Sequence, residues 1–208
     1  MNKNMSTKEK IEYFWMYYKL HFIAVVAVIL IVIYFANIAL TSTDNVLDVM
    51  LIDSHAQGDP EELSKAYMET REIDDSKYDV QISTSLMFDD TTTGTYSMTS
   101  KTKFITDVAS ELLDVCGMLK DDFMDYDDSQ MWLDLRDYLT ENELSNIENE
   151  LVETDDGRVI GILANNLPVM QEYGCYSDEN GDAVIGIVSS APHKDEAIKF
   201  LLYIADAL

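Results

Sequence analysis

The longest apolar stretch of the chain runs from Phe22 to Leu40 (FIAVVAVILIVIYFANIAL) and contains no charged residue. As a helix it is about 28 Å long, close to the ~30 Å of a bilayer core. The run is longer than the core of a cleavable signal peptide, and Asn37-Ile38-Ala39 is a poor cleavage site. The pattern therefore predicts a retained transmembrane signal anchor.

The charges on the two sides of this run differ in sign. Four lysines precede it, whereas Asp44 and Asp48 are the first charged residues after it. The positive-inside rule predicts a single-pass protein of the cell membrane, with residues 1–21 cytoplasmic, 22–40 in the lipid bilayer and 41–208 extracytoplasmic. The segment EYFWMYYKLHF before the run is aromatic and suits the head-group region of a membrane. Contact with a membrane partner is the alternative explanation for these aromatic residues.

After the anchor, apolar positions follow strand-like and helix-like spacings in turn. Val46–Ile52 is apolar almost throughout, as in a strand buried on both faces, and Tyr78–Phe88 alternates as a half-buried strand does. Between them, Asp59-Pro60-Glu61-Glu62 is a strong helix start. A polar loop is expected at Thr91–Thr102. Apolar residues spaced by four then predict a helix over about 104–112.

The second half of the chain predicts further helices and two hairpins. The expected elements are a strand near 112–116, a helix with Trp132, Leu135 and Leu139 on one face, a helix begun by the capping box Thr140–Glu143 and reaching Leu151, a strand at Val159–Leu163 after Asp156-Gly157, an Asn180-Gly181 hairpin joining Tyr173–Tyr176 to Ala183–Val188, and a helix from about His193 to Ala207. Alternating β and α units imply an α/β domain with a single mixed, mainly parallel sheet covered by helices.

The chain is strongly acidic, with a formal net charge of −25, and all of the excess negative charge lies beyond the anchor. Such a domain repels phosphate backbones, so we expect no nucleic-acid partner. Asp178, Asn180 and Asp182 have the first spacings of an EF-hand loop, but Ala183 and Ser189 stand where that loop requires Gly and Glu. We therefore predict no metal site and attribute the acidity to solubility.

Few residues are candidates for chemistry. Asp53, Ser54 and His55 follow the first predicted strand, at the end of a strand where α/β sheets bind ligands, and a solvated turn is the alternative. His193 follows Pro192 at a predicted helix start, where it suits a capping role. The sequence contains no legible nucleophile–base pair, metal-ligand spacing or nucleotide-binding loop. We expect no catalytic residue, no cofactor and no enzymatic activity, and Asp53, Ser54 and His55 are the predicted ligand-binding residues.

The two cysteines, Cys116 and Cys175, match no metal or redox spacing. In an oxidising exterior they have two alternative states. A disulfide between them would close a long loop and stabilise the fold by up to roughly 4 kcal/mol. Two free thiols are the other state, because Cys116 lies in an apolar run and Cys175 in a turn-rich stretch.

Three segments carry a resemblance to a known family. The closing segment VIGIVSSAPHKDEAIKFLLYIADAL joins a strand to a helix patterned A-x-x-F-L, matched by Ala197, Phe200 and Leu201. The segment MWLDLRDYLTENELSNIE contains L-D-L-x-D-Y-L, and SKTKFITDVASELLDV ends in D-V. In this order they resemble extracytoplasmic solute-binding proteins of the bacterial periplasmic-binding type. The lead-in from Tyr13 to Lys19, patterned Y-x-W-x-Y-Y-K, resembles single-pass proteins of low-GC Gram-positive bacteria.

The resemblance implies a reduced solute-binding-protein-like domain. Its expected function is that of a membrane-tethered, non-enzymatic binding module for a small ligand or an envelope protein. The second interpretation is a structural or assembly role, in which the anchor and its aromatic lead-in contact another membrane protein.

Overall fold

The computed structural model describes residues 7–41, 43–54, 59–88, 94–176 and 181–207. It divides into two compact units, Met1–Thr43 and Asp44–Leu208. The described residues of the first unit form one helix, α1 (Thr7–Thr41), followed by Thr43. Within α1, the segment Trp15–Ala36 is long and apolar enough to cross a membrane, and none of it is buried. This is compatible with the predicted membrane anchor, and the predicted span of residues 22–40 lies within the same helix.

The second unit is an α/β domain built on one sheet. Its strands are β1 (Asp44–Leu51), β2 (Tyr78–Ser83), β3 (Val115–Leu119), β4 (Leu151–Glu153), β5 (Val159–Leu163) and β6 (Ala183–Ile187). Its helices are α2 (Pro60–Thr70), α3 (Gly94–Ala109), α4 (Lys120–Asp125), α5 (Glu141–Asn146), α6 (Pro168–Glu172) and α7 (Lys194–Ile204).

The six strands lie in the order β2-β1-β3-β6-β5-β4. β1 runs parallel to both of its neighbours, β2 and β3, whereas the other three adjoining pairs are antiparallel. The prediction of one mixed sheet with helices is confirmed, but the prediction of a mainly parallel sheet is wrong. Parallel pairing needs a long crossover, which α2 and α3 supply in the first half. In the second half, a tight turn joins β4 to β5, and β6 returns between β5 and β3.

The starts of two helices lie where the capping residues of the sequence predict them. α2 begins where expected, with Pro60 in its first turn and the Asp59 side chain accepting a hydrogen bond from the Glu61 N–H. The capping box of Thr140 and Glu143 is present at the start of α5. These helix starts follow from side chains that satisfy the free N–H groups of the first turn.

The prediction of a polar loop at Thr91–Thr102 is wrong for the residues of this range that the structure describes, because α3 begins at Gly94. The positions of this helix that face the core in its first half are Ser97 and Ser100, which are 5% and 1% exposed. Serines in place of aliphatic residues remove the apolar periodicity by which a helix is recognised.

Two other predictions in the second half are corrected. The segment Tyr173–Tyr176 is no strand, and β6 pairs with β3 and β5 instead. The hairpin residue Asn180 lies outside the described residues. The expected helix through Trp132 and Leu139 is a short 3-10 turn at Leu135–Asp137, and Leu151 begins β4 rather than ending α5. In these segments the side chains pack against the sheet without a regular helix.

A ring stack is packed against the middle of the sheet. Phe123 and Trp132 lie face to face, with ring centroids 3.9 Å apart and planes 5° from parallel. The Trp132 indole N–H donates to the Phe123 carbonyl at 2.9 Å. Gly161 on β5 and Gly186 on β6 lie under the Phe123 ring, where a Cβ on either would come within about 3 Å of it. The two glycines therefore create the space that the Phe123 ring fills.

Candidate functional site

One edge of the sheet gathers the carboxyl ends of β1, β3 and β5 and the start of β6. Asp53 and Ser54 follow β1 at this edge, and both are buried, with 4% and 7% of their surface exposed. A buried carboxyl group is costly unless neighbouring groups hold it. The contacts of these two residues therefore define the candidate site.

The backbone of Asp53 has a left-handed conformation, with a φ of 54°. Few residues other than glycine, asparagine and aspartate adopt this conformation readily. The Asp53 N–H donates to the Leu86 carbonyl at 3.0 Å, and its Oδ1 accepts from the Phe88 N–H at 2.8 Å. These bonds fasten the turn after β1 to the extended segment after β2.

A third segment, which precedes β6 in the chain, also holds this turn. The Ser54 hydroxyl donates to the Cys175 carbonyl at 2.9 Å, and the Tyr176 hydroxyl donates to the Ile52 carbonyl at 3.0 Å. Gly117 on β3 leaves room for this tyrosine, because a Cβ there would lie 2.9 Å from the Tyr176 hydroxyl oxygen. Sequence reasoning missed Tyr176, which is separated from Ile52 by 124 positions.

The rim of the site carries charged and aromatic side chains. Burial raises the pKa of Asp122 on α4, Lys101 opposes this shift, and the carboxyl group of Asp53 adds to it. Burial and the Asp122 carboxylate likewise raise the pKa of Tyr126. The Lys101 ammonium lies over the Phe88 ring, 5.3 Å from its centroid. Asp122 is therefore a half-buried acid beside an aromatic wall, with one lysine nearby.

The same edge of the sheet contains a cavity of about 220 Å³. It is lined by Leu119, Lys120, Asp121, Gly181 and Asp182. Beside it, the amide of Asn165 after β5 accepts from the Ala183 N–H at 2.7 Å and donates to the Gly181 carbonyl at 3.0 Å. The edge thus combines open space with carboxylates and a fixed amide.

Of the three predicted ligand-binding residues, the structure brings Asp53 and Ser54 to this edge, while His55 lies outside the described residues. In the described part of Thr91–Thr102, the Ser97 hydroxyl donates to the Phe88 carbonyl at 2.8 Å. The start of α3 therefore supports the segment that holds Asp53. Among the described residues, no group of three acidic, histidine or cysteine side chains is placed to hold a metal ion.

The two cysteines are free thiols, and both are buried. Burial raises the pKa of Cys116 well above its usual range and raises that of Cys175 to about 11. Of the two alternatives that the sequence allows, the structure contains the free thiols. Buried thiols of raised pKa are weak nucleophiles at neutral pH.

A second polar cluster lies at the opposite edge, before β3. Asp114 is fully buried there, and its carboxyl group contacts His193 at the start of α7. His193 occupies the position before the helix, as predicted, but its side chain forms no capping hydrogen bond. Its ring Nδ1 lies 3.0 Å from Asp114 Oδ2 instead. The prediction therefore gave the position of His193 at the helix start correctly, but the predicted capping contact is not formed.

A comparison with protein-family models finds no match, and comparisons with curated proteins and with solved structures find none either.

Proposed function

We propose that the chain is a membrane-tethered, non-enzymatic binding module whose domain at residues 41–208 lies outside the cytoplasm. The site is the carboxyl edge of the sheet, around Asp53 and Ser54. The observation that carries the proposal is the buried, left-handed turn at Asp53, which two separate segments hold in place. Conformations of this kind are maintained where a site needs a preformed backbone. The resemblance to solute-binding proteins points to the same class of function.

The charges at this edge indicate the chemistry of the ligand. Asp121, Asp122 and Asp182 accompany Asp53 there, and Tyr126 supplies an aromatic surface beside Asp122. Carboxylates accept hydrogen bonds, and charged acceptors bind charged donors most strongly. Aromatic faces also attract cations. We therefore propose a small organic cation or amine as the ligand, such as an amino acid with a basic side chain or a polyamine.

The test is thermal melting of the full chain in detergent micelles, with basic amino acids, polyamines, neutral sugars and short peptides as probes. A ligand at about 100 times its Kd should stabilise the domain by roughly 2.7 kcal/mol, which raises Tm by several degrees. A shift with amines and none with neutral sugars is the expected result. If no probe changes the Tm of a chain that still melts cooperatively, small-ligand binding is contradicted.

Asp122→Asn tests whether the acidic rim takes part. The substitution should weaken amine binding about tenfold, because a charged hydrogen bond to the ligand is lost. Asp137→Asn is the matched control, since Asp137 is exposed on the 3-10 turn that lies beside the start of β5, at the opposite edge. Equal affinities of the two variants, measured by titration calorimetry, would remove Asp122 from the site.

A second candidate function rests on α1. Trp15, Tyr17 and Tyr18 are exposed on the helix, ahead of its most apolar part. In this alternative they contact another membrane protein, and the exterior domain serves as its assembly partner. Exchanging residues 11–40 for an unrelated anchor should then abolish co-purification with that partner in a cross-linked membrane fraction. If co-purification is retained, the aromatic lead-in does not contact the partner and serves only to anchor the chain at the membrane interface.

A further inference from the structure

The cluster at the amino end of β3 joins the last helix to the sheet through one buried carboxyl group. Asp114 Oδ1 accepts from the His193 N–H at 2.7 Å, and Oδ2 accepts from the Asp48 N–H at 2.9 Å. The His193 ring Nδ1 lies 3.0 Å from the same Oδ2. In return, the Asp114 N–H donates to the Asp48 carbonyl at 3.1 Å. A fully buried side chain thus connects β1, β3 and the start of α7.

Acidic side chains outnumber basic ones around this cluster. Asp48 faces it from β1, Asp107 and Lys103 from α3, and His193 from α7. Lys103 is bound to Asp107, with Nζ and Oδ2 2.5 Å apart. Three carboxyl groups therefore share one lysine and one imidazole. Burial, followed by the charges of Asp114 and Asp107, raises the pKa of Asp48 to about 6.

We infer that Asp48, Asp114 and His193 form a proton-operated latch that fastens the start of α7 to the sheet. When Asp48 is protonated, its half-buried carboxyl group carries no charge for burial and the neighbouring Asp114 and Asp107 to oppose, and the contacts of Asp114 with Asp48 and His193 are held firmly. When Asp48 is ionised, burial and these two carboxyl groups oppose its charge, and the start of α7, which Asp114 binds, is held less firmly.

The direction of the pH effect follows from the raised pKa. The folded protein binds the Asp48 proton more tightly than the unfolded chain, in which the pKa of Asp48 is near 3.8. The stability supplied by this proton is complete below about pH 4 and is lost as the pH rises through about 6. A difference of about two pKa units corresponds to as much as a 100-fold change in the unfolding equilibrium. Because Asp48 is half-buried, we expect between about 10- and 100-fold.

The latch lies close enough to solvent to exchange protons. The His193 side chain is 39% exposed. It borders a groove of about 590 Å³ that is lined by Val46 and by the first residues around the α7 start, from Ala191 to Glu196. The Ala197 N–H donates to the His193 carbonyl at 2.9 Å, so the first turn of α7 begins at the latch itself.

The test uses the full chain in detergent micelles between pH 5 and pH 8. Thermal melting of the natural protein should show a Tm a few degrees higher at pH 5 than at pH 8, because about a tenfold change in the unfolding equilibrium falls within this interval. Asp48→Asn should remove most of this difference and melt at pH 8 at least as high as the natural protein at pH 5. Asp44→Asn is the control, because Asp44 is exposed on the same strand and should leave the pH dependence unchanged. The same pH slope in Asp48→Asn as in the natural protein would overturn the latch.

A local measurement separates a latch from a general pH effect. Hydrogen exchange, corrected for the intrinsic rate at each pH, should show stronger protection of the first turn of α7 at pH 5.5 than at pH 8. The first turn of α2, capped by Asp59 away from the cluster, should change little. Equal changes in both helices would show that α7 is not specifically held, and would also overturn the proposal.

Discussion

Replacing Gly186 by alanine is expected to lower the free energy of unfolding by about 3 kcal/mol or more. A Cβ at this position would lie 2.6 Å from the Ile160 carbonyl oxygen and 2.6 Å from Phe123 Cζ. The carbonyl belongs to the adjoining part of the sheet and cannot retreat without disturbing the β5–β6 pairing. The Phe123 ring cannot turn aside either, because it is stacked on Trp132. Small domains are stable by only about 5–15 kcal/mol, so this loss is large.

Urea unfolding of the full chain, followed by tryptophan fluorescence, measures the effect, since Trp132 lies in the affected stack. Gly181→Ala is the matched control. Gly181 has a φ of 99°, but a Cβ there would meet nothing within 4 Å. That variant should lose only about 1 kcal/mol, from backbone strain. If both variants unfold at the same urea concentration, the close packing at Gly186 does not limit stability.

Removing the Asp114 carboxyl group with Asp114→Ala is expected to cost about 3–5 kcal/mol. The substitution leaves two backbone N–H donors, those of His193 and Asp48, without their acceptor inside the fold. Unsatisfied buried donors cost about 1–3 kcal/mol each. Relief of the repulsion with Asp48 returns only part of this. The carboxyl group is therefore a structural requirement, even though its charge adds to the effect of burial in raising the pKa of Asp48.

The measurement is the midpoint of urea unfolding at pH 7. Asp114→Asn distinguishes lost hydrogen bonding from lost charge. An asparagine keeps one acceptor, but its amide would face a backbone N–H with another N–H, so it should also destabilise the fold. Asp137→Ala, at an exposed position, should change stability by less than about 0.5 kcal/mol. An Asp114→Ala variant as stable as Asp137→Ala would show that α7 does not depend on this carboxyl group.

The sequence predicts those features that are encoded within a few neighbouring residues. The apolar run of α1, the Asp59 cap of α2 and the start of α7 near His193 each depend on residues close together in the chain. The Asp156-Gly157 turn between β4 and β5 is of the same kind, because Gly157 has a φ of 87° that glycine adopts readily.

The missing part of the candidate site consists of contacts between distant residues. Tyr176 and Ile52 are 124 positions apart, and His193 and Asp114 are 79 apart. No local pattern marks such a pair, and a buried tyrosine or aspartate is not distinguished from an exposed one by its letter in the sequence. The local strand pattern was enough to place Asp53 and Ser54 at the end of a strand. These two residues of the candidate site could therefore be predicted from the sequence.

The order of the strands places β2 and β4 at the two open sides of the sheet. An open side exposes unpaired backbone groups to which a foreign strand could add. β4 offers only three residues, and its pairing with β5 is irregular between Val152 and Glu153. β2 carries Asp79, and its pairing with β1 is irregular between Asn45 and Leu47. Short length, irregular pairing and negative charge are features that discourage such addition. We expect the domain to resist amyloid-like aggregation at high concentration, and its acidity to contribute to that resistance.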